Sequence, residues 1–125
     1  VELRQQKVDI IANDIPKCKI YGKGQGDLLV VGWGGTHGAI RSAVESAQSE
    51  GLSISHLHLR HLNPLPKDLG EILVKFQKVM IPELNLGQLA MIIRSKFLVD
   101  VISLCKVQGK PFTQTEIYHK IKELI

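Results

Sequence analysis

A glycine-rich turn at residues 32–38 (GWGGTHG) holds the first residues whose types and spacing could do chemistry. It follows an apolar run at residues 28–31 and leads into an apolar helical period. Backbone N–H groups at such a helix N-terminus can bind an anion, and glycines let a phosphate approach them closely. However, His37 stands where the third glycine of GxGxxG belongs, and no Gly-Lys-Ser/Thr follows.

Two interpretations of this turn therefore stay open. In the first, it is a tight connection between a strand and a helix, in which glycines take positive φ and Thr36 caps the helix. In the second, it contacts a ligand or another subunit at the carboxyl end of a strand, where open α/β sheets bind ligands. The candidate contact residues are Gly34, Gly35, Thr36 and His37.

Glu83 is the carboxylate of most interest, because it ends a short apolar run and precedes two amide side chains, Asn85 and Gln88. A carboxylate there can accept hydrogen bonds from the N–H groups of the following helix. The alternative is a subunit contact through Glu83, Asn85 and Gln88. The sequence has no Gly-x-Ser-x-Gly elbow for nucleophilic catalysis, and it assigns no catalytic residue.

Three histidines, His56, His58 and His61, have the spacing His-x-His-x-x-His, and the first two would project from one face of a strand. Zinc needs three or four ligands in tetrahedral reach, and no cysteine or acidic residue stands near enough to complete the set. A polar strand face or a subunit contact is favoured over a metal site. Cys18 and Cys105 lie far apart in the sequence, so we expect two reduced, buried thiols.

Composition narrows the class of protein. A chain of 125 residues with 44% hydrophobic and 22% charged residues is long enough for one domain with a real core. The net charge of +4 is spread out, and the six aromatic residues do not interleave with a basic cluster, so we expect no nucleic-acid partner. No long apolar run and no signal peptide is present, which predicts a cytoplasmic protein without a membrane contact. The chain opens on Val1, so we expect a piece of a longer protein.

Apolar periodicity predicts strands that alternate with helices. The predicted strands are 18–21, 28–31, 53–60, 78–83 and 99–104. The predicted helices are 1–12, one from about residue 39 that ends at Gly51, 66–77, one after Gln88, and a terminal one. Helices between strands imply crossover connections, so the sheet should be mostly parallel with helices on both faces. The short first strand, which reaches the second through a glycine loop, should run antiparallel.

The last two helices carry further expectations. Leu89, Ile92 and Ile93 should point inward from the helix after Gln88, and Arg94 and Lys96 should lie near its C-terminal end, where cations suit the helix dipole. The spacing of Thr113 and Glu116 predicts a capping box before the terminal helix. The predicted inward side chains of that helix are Ile117, Ile121 and Leu124.

Five short runs give the chain a resemblance to a known family. The runs are RQQK at 4–7, LVVGWG at 29–34 with Thr36 and Gly38, LNPLP at 62–66, PELNLGQL at 82–89 and GKPF at 109–112. Together and in this order they resemble the C-terminal domain of the alpha subunit of 2-oxoacid:ferredoxin oxidoreductases, especially the 2-oxoglutarate enzymes. The resemblance implies the transketolase C-terminal fold: α/β, three layers, and a mixed, mostly parallel five-stranded sheet with one antiparallel strand near its edge. It also implies that residues 1–16 are a linker or helix from a preceding domain, and that 17–125 are a single domain.

The enzymes of that family oxidatively decarboxylate a 2-oxoacid to the acyl-CoA, using thiamine diphosphate and iron–sulfur clusters and passing electrons to ferredoxin. This chain lacks the Gly-Asp-Gly…Asn-Asn diphosphate signature, and two scattered cysteines cannot hold a cluster. The resemblance therefore implies a non-catalytic domain that packs against the rest of the alpha subunit and the beta subunit. It also implies that ferredoxin is a partner of the whole complex. In isolation it could form a homodimer through an apolar patch. The alternative is a stand-alone α/β module that binds a phosphate-bearing ligand at Gly34–His37.

Overall fold

The computed structural model describes residues 19–59, 68–83, 88–105 and 112–125. The helix expected at 1–12, residues Cys18, His61 and Asn85, and the side chains of Gln88 and Cys105 lie outside what it describes. Within the described ranges, no helix is long and apolar enough to cross a membrane.

The described strands form one mixed sheet. They are β1 (Ile20–Tyr21), β2 (Gly26–Trp33), β3 (Ile54–Leu59), β4 (Phe76–Glu83) and β5 (Ile102–Cys105). Their order across the sheet is β1-β3-β2-β4-β5. The short strand β1 pairs antiparallel with β3 at one edge, and the remaining neighbours pair in parallel. This confirms the predicted architecture, including the strand expected to run antiparallel.

Helices cover both faces of this sheet and make the fold three-layered. A 3₁₀ turn at Gly34–Thr36 leads into α1 (His37–Ser49), followed by α2 (Leu69–Leu73), α3 (Gln88–Phe97) and α4 (Gln114–Leu124). The first and last of these, α1 and α4, pack on one face, while α2 and α3 pack on the other. Strand β2 is buried on both faces, because alternate side chains enter opposite cores. Leu28 and Val30 meet the α1–α4 core, whereas Leu29 and Val31 meet the α2–α3 core.

The second helix is shorter than the sequence suggests. The predicted helix 66–77 is wrong at its C-terminal end, because α2 spans Leu69–Leu73 and Phe76 begins β4. Residues 66 and 67 of that prediction lie outside what the structure describes. Phe76 continues the apolar spacing of α2 at i+7, but its side chain is buried in the same core from a strand. A tight turn, in which Lys75 N–H donates to the carbonyl of Ile72, separates the two elements. The apolar spacing looks helical because Phe76 enters the same core as α2, although the backbone at Phe76 is a strand.

Other boundaries need smaller corrections. The strand predicted at 99–104 begins only at Ile102, although Val101 is buried. Ile92, predicted to point inward, is 44% exposed, while Leu89 and Ile93 are buried as expected.

Two predicted helix ends are confirmed. Gly51 follows α1 with φ +86°, as expected for the glycine after a helix C-terminus. At the start of α4, the N–H of Glu116 donates to Thr113 Oγ1 at 3.2 Å, and the N–H of Thr113 donates to the Glu116 carboxylate at 3.1 Å. This reciprocal pair is the predicted capping box.

Candidate functional site

The four parallel strands end level with one another at one edge of the sheet. Trp33 of β2 pairs with Leu59 of β3, and Glu83 of β4 pairs with Cys105 of β5. The register between β2 and β4 runs from Gly26–Phe76 to Val30–Met80, and continuing it brings Trp33 level with Glu83. Two predicted contact segments, Gly34–His37 and the residues from Glu83 onward, therefore begin at the same carboxyl edge, where open α/β sheets bind their ligands and partners.

Glycines shape the turn after β2. Gly34 has φ +65°, a backbone conformation that residues other than glycine rarely adopt. It is the first residue of the 3₁₀ turn. One residue before Trp33, Gly32 sits beneath α1, and a Cβ there would overlap Cδ1 of Ile40. It would also lie 3.1 Å from Nδ1 of His58. Gly32 therefore permits the close approach of α1 to β2.

The turn is held by bonds within the protein. Thr36 occupies the N-cap position of α1, but the predicted side-chain cap is wrong. Its hydroxyl instead donates to the carbonyl of Trp33 at 3.0 Å, which ties the end of β2 to the start of α1. Nε2 of His58 lies 3.2 Å from the carbonyl oxygen of Gly34 and links β3 to the same turn. His37, the first residue of α1, is exposed beside these contacts.

Glu83 is a buried helix cap. One carboxylate oxygen accepts the N–H of Leu89 at 2.7 Å, and the other accepts the N–H of Ala90 at 3.2 Å. These N–H groups belong to the first turn of α3, so the carboxylate also opposes the positive end of the helix dipole. The first of the two interpretations of Glu83, a hydrogen-bond partner for the next helix, is what the geometry shows. Both oxygens are committed to positioning α3 over the sheet.

Three histidine rings meet at the β1–β3 edge. His56 is fully buried, and its ring centroid lies 5.4 Å from that of His37 and 5.6 Å from that of His58. The Tyr21 ring lies 5.6 Å from His56 on the other side, and the Arg41 guanidinium stacks 3.7 Å from the centroid of Tyr21. We call these five residues the histidine cluster.

Neither ring nitrogen of His56 has a hydrogen-bond partner among the described residues. Burial is the main cause that lowers the pKa of His56 to about 3, and the electrostatic effects of His58, His37 and Arg41 act in the same direction and are included in that value. The ring is therefore neutral at ordinary pH. Within the described ranges, no three His, Cys, Asp or Glu side chains are arranged to hold a metal ion, and His61 lies outside those ranges.

Sequence reasoning found part of this arrangement. The alternation of β3 predicts that His56 and His58 share one face, but no sequence pattern indicates that His37 joins them or that Tyr21 and Arg41 complete the group. The contacts of Tyr21 depend on its antiparallel pairing with His56, which brings a distant strand alongside β3. The contacts of His37 depend on the parallel pairing of β2 with β3, because α1 begins just after β2. Gly32, near the end of β2, is the one local signal that α1 approaches the strand closely.

Comparison with known proteins gives a family match over most of the sheet. Residues 26–117 match the family of pyruvate:ferredoxin oxidoreductase core domain II. Subunit KorA of the 2-oxoglutarate oxidoreductase of Mycobacterium tuberculosis is 47% identical over 118 residues, which is 94% of this chain and 18% of that subunit. The chain thus spans only 16–20% of the length of this subunit and of two related alpha subunits of Aeropyrum pernix.

Solved structures agree with the sequence match. The 2-oxoglutarate:ferredoxin oxidoreductase of Magnetococcus marinus, solved with 2-oxoglutarate, coenzyme A and succinyl-CoA bound, superposes with a TM-score of 0.87 at 28% identity, over 93% of this chain and 21% of that one. A split-gene transketolase superposes with a TM-score of 0.64 at 16% identity, over 85% of this chain and 41% of that one, which shows the shared fold. The transketolase C-terminal-like architecture is therefore confirmed.

Proposed function

This chain belongs to the pyruvate:ferredoxin oxidoreductase core domain II family, and we propose that it is a non-catalytic assembly domain of the alpha subunit of a 2-oxoacid:ferredoxin oxidoreductase. The whole enzyme would oxidatively decarboxylate its 2-oxoacid to the acyl-CoA. The preferred substrate is 2-oxoglutarate, because KorA and the enzyme of Magnetococcus marinus are named for it. Residues 17–125 would form the domain, and 1–16 would connect it to the preceding one.

The observation that carries this proposal is the use of the polar groups at the carboxyl edge. Both oxygens of Glu83 hold the N-terminus of α3, and the hydroxyl of Thr36 holds the end of β2. Because these polar groups are hydrogen-bonded within the domain, they hold the carboxyl edge of the sheet in a fixed shape. They are poorly suited to transfer protons to a substrate, because each would first have to leave its partner. A rigid edge of this kind favours contact with the rest of the alpha subunit and with the beta subunit, through Gly34–His37 and the residues after Glu83.

Two of the cofactors expected of such an enzyme, the iron–sulfur clusters and thiamine diphosphate, do not fit this chain. An iron–sulfur cluster needs four protein ligands, most often cysteines, and the chain has two cysteines in all. The metal ion that accompanies a diphosphate would need oxygen ligands, and the described residues offer no group of acidic or histidine side chains that could hold one. We therefore assign thiamine diphosphate and the clusters to other parts of the complex, and we expect coenzyme A of the whole enzyme.

An exposed residue in the turn offers a test. His37→Glu in the full-length alpha subunit puts a carboxylate at the first position of α1, where the helix dipole favours it, so the domain should stay folded. At a subunit contact, the new charge should reduce assembly with the beta subunit, while the turnover of each assembled complex stays unchanged. The matched control is His119→Glu, at an exposed histidine on α4, and it should assemble normally. Normal assembly with a slower turnover in His37→Glu would overturn the proposal.

The alternative is a phosphate-bearing ligand at the turn. It is favoured by one observation, the thirteen-residue helix α1 that begins at the exposed His37 beside the positive-φ Gly34. Calorimetry with inorganic phosphate, nucleotides and coenzyme A tests it. Saturable binding that His37→Glu abolishes would support this alternative, and no heat at millimolar ligand would remove it.

A further inference from the structure

The two helical layers present different surfaces. The α1–α4 layer carries exposed ion pairs, Arg41–Glu45 and Lys122–Glu50, each at 2.9 Å. The α2–α3 layer instead carries four of the five large apolar side chains that are exposed in the described part of the chain; the fifth is the terminal Ile125. We call these four residues the α2–α3 surface. They are Val74, Met91, Ile92 and Leu98.

The four residues belong to one continuous side of the molecule. Met91 and Ile92 lie on the part of α3 that points away from the core, since Leu89 and Ile93 of the same helix are buried. Leu98 follows the helix directly and is also exposed. Val74 follows α2, and Leu98 follows α3. Because each helix ends just before a parallel strand begins, both residues lie at the amino edge of the sheet. The helices touch where the Phe97 ring covers Gly70, since a Cβ on that glycine would lie 2.8 Å from Phe97 Cδ1.

Leu98 is unusual in conformation as well as exposure. It is 89% exposed and has φ +54°, and it is the one non-glycine residue with positive φ in the described ranges. Glycine is the common residue at this place after a helix, because it has no Cβ to strain the left-handed conformation. A leucine here therefore adds strain and exposed apolar area without packing into the fold. Backbone strain at an exposed apolar residue is typical of positions that a partner covers.

We propose that the α2–α3 surface docks against another domain of the same alpha-subunit polypeptide. This inference rests on the proposed function and adds the orientation of the domain: the outer faces of α2 and α3 point inward, and the outer faces of α1 and α4 point to solvent, while His37 at the start of α1 stays at the carboxyl edge of the sheet. The occupant follows from chain length, because this chain amounts to 18% of KorA and 21% of the Magnetococcus marinus chain. A covalently linked neighbour is present at an effective concentration on the order of millimolar, so it covers an apolar face ahead of a second copy.

The native methionines provide the test. Hydroxyl-radical footprinting of the full-length alpha subunit, read by peptide mass spectrometry, reports the oxidation rates of Met80 and Met91 in one sample. Met80 is fully buried and sets the slow reference, while Met91 is 65% exposed in this domain. The variant His119→Met supplies an exposed methionine on α4 as the fast reference. Methionine oxidation follows solvent access, so docking should make Met91 at least about tenfold slower than Met introduced at 119.

Each outcome separates the explanations. Slow oxidation of Met91 at two protein concentrations about a hundredfold apart, without the beta subunit, supports docking within the chain. Protection that disappears on dilution would assign the surface to a second copy. Protection that needs the beta subunit would assign it to that subunit, and either result overturns the proposal. Fast oxidation of Met91 in a complex that still needs this domain for assembly would refute the docking surface and leave the proposed function standing.

A charge variant gives a second measurement. Met91→Glu in the full-length alpha subunit should raise the radical reactivity of neighbouring α3 residues by several-fold, because an exposed glutamate does not enter an apolar interface. The side chain is already exposed in this domain, so the fold itself should tolerate the change. His119→Glu on the opposite layer should leave the reactivity of α3 unchanged.

Discussion

His56 should make the stability of this domain sensitive to mild acid. The ring is fully buried between Tyr21, His37 and His58, and neither nitrogen has a partner among the described residues. Replacing it by leucine, His56→Leu, keeps an apolar side chain of similar size and removes the group that titrates. The comparison of the two proteins isolates the proton that His56 takes up on unfolding.

The size of the effect follows from the two pKa values of this ring. The pKa is about 3 in the fold and 6.5 in the unfolded chain, so between these values the unfolded state binds a proton that the folded state does not. The free energy of unfolding therefore falls as the pH falls below 6.5, and it stops falling near pH 3. Between pH 7 and pH 5 the loss due to His56 is about 2 kcal/mol, roughly a thirtyfold change in the folding constant.

Urea unfolding of the 125-residue chain at pH 7 and pH 5 measures this difference. The original protein should lose about 2 kcal/mol more than His56→Leu over that interval. The control His119→Gln, which removes an exposed histidine on α4, should lose as much as the original. An equal loss in the original and in His56→Leu would refute the reasoning, because it would mean that the buried ring is protonated in the fold or is reached by water.

Three further substitutions test individual contacts by urea unfolding. Glu83→Ala leaves two N–H groups of α3 without their acceptor and should lower the free energy of unfolding by about 2–3 kcal/mol, and Glu83→Gln should lower it by about half as much. An unchanged free energy of unfolding would contradict the role of Glu83 as a helix cap. Gly32→Ala places a methyl group against Ile40 and should lower the free energy of unfolding by about 1–3 kcal/mol, whereas Gly24→Ala, whose methyl meets no atom within 4 Å, should leave it nearly unchanged. Equal effects of the two substitutions would contradict the close approach of α1 to β2. Leu98→Gly relieves the positive φ and should stabilise the chain by about 1 kcal/mol, and a loss would show that the leucine packs within the domain.

The fold was largely predictable because its signals are local. The apolar run of β2, the glycine after α1 and the capping box of α4 each depend on residues close together in sequence, and all three are confirmed. The helix at 66–77 was over-extended because Phe76 shares the core of α2 from a strand, and apolar spacing does not distinguish the two cases. The end of α2 is set by a turn between two buried residues, Leu73 and Phe76, and the apolar periodicity of the sequence does not mark that turn.

The candidate site was less predictable because its contacts join distant segments. The role of Glu83 was among the interpretations open from sequence, since a carboxylate just before a helix suits a cap. Thr36 also precedes a helix, but its hydroxyl reaches the preceding carbonyl of Trp33, because the 3₁₀ turn brings that oxygen within 3.0 Å. The histidine cluster required the pairing of β3 with both β1 and β2, and no local pattern specifies which strands are neighbours.

The central claim, that this domain supports assembly without taking part in the chemistry, has one direct measurement. An alpha subunit that lacks residues 17–125 is mixed with the beta subunit, and the separately expressed domain is titrated back. Assembled mass and 2-oxoglutarate-dependent dye reduction are followed together. The account predicts that both return in proportion, so that the turnover of each assembled complex is constant. A complex that assembles fully without the domain but reduces dye only after it is added would contradict the account, because the domain would then contribute to the reaction itself.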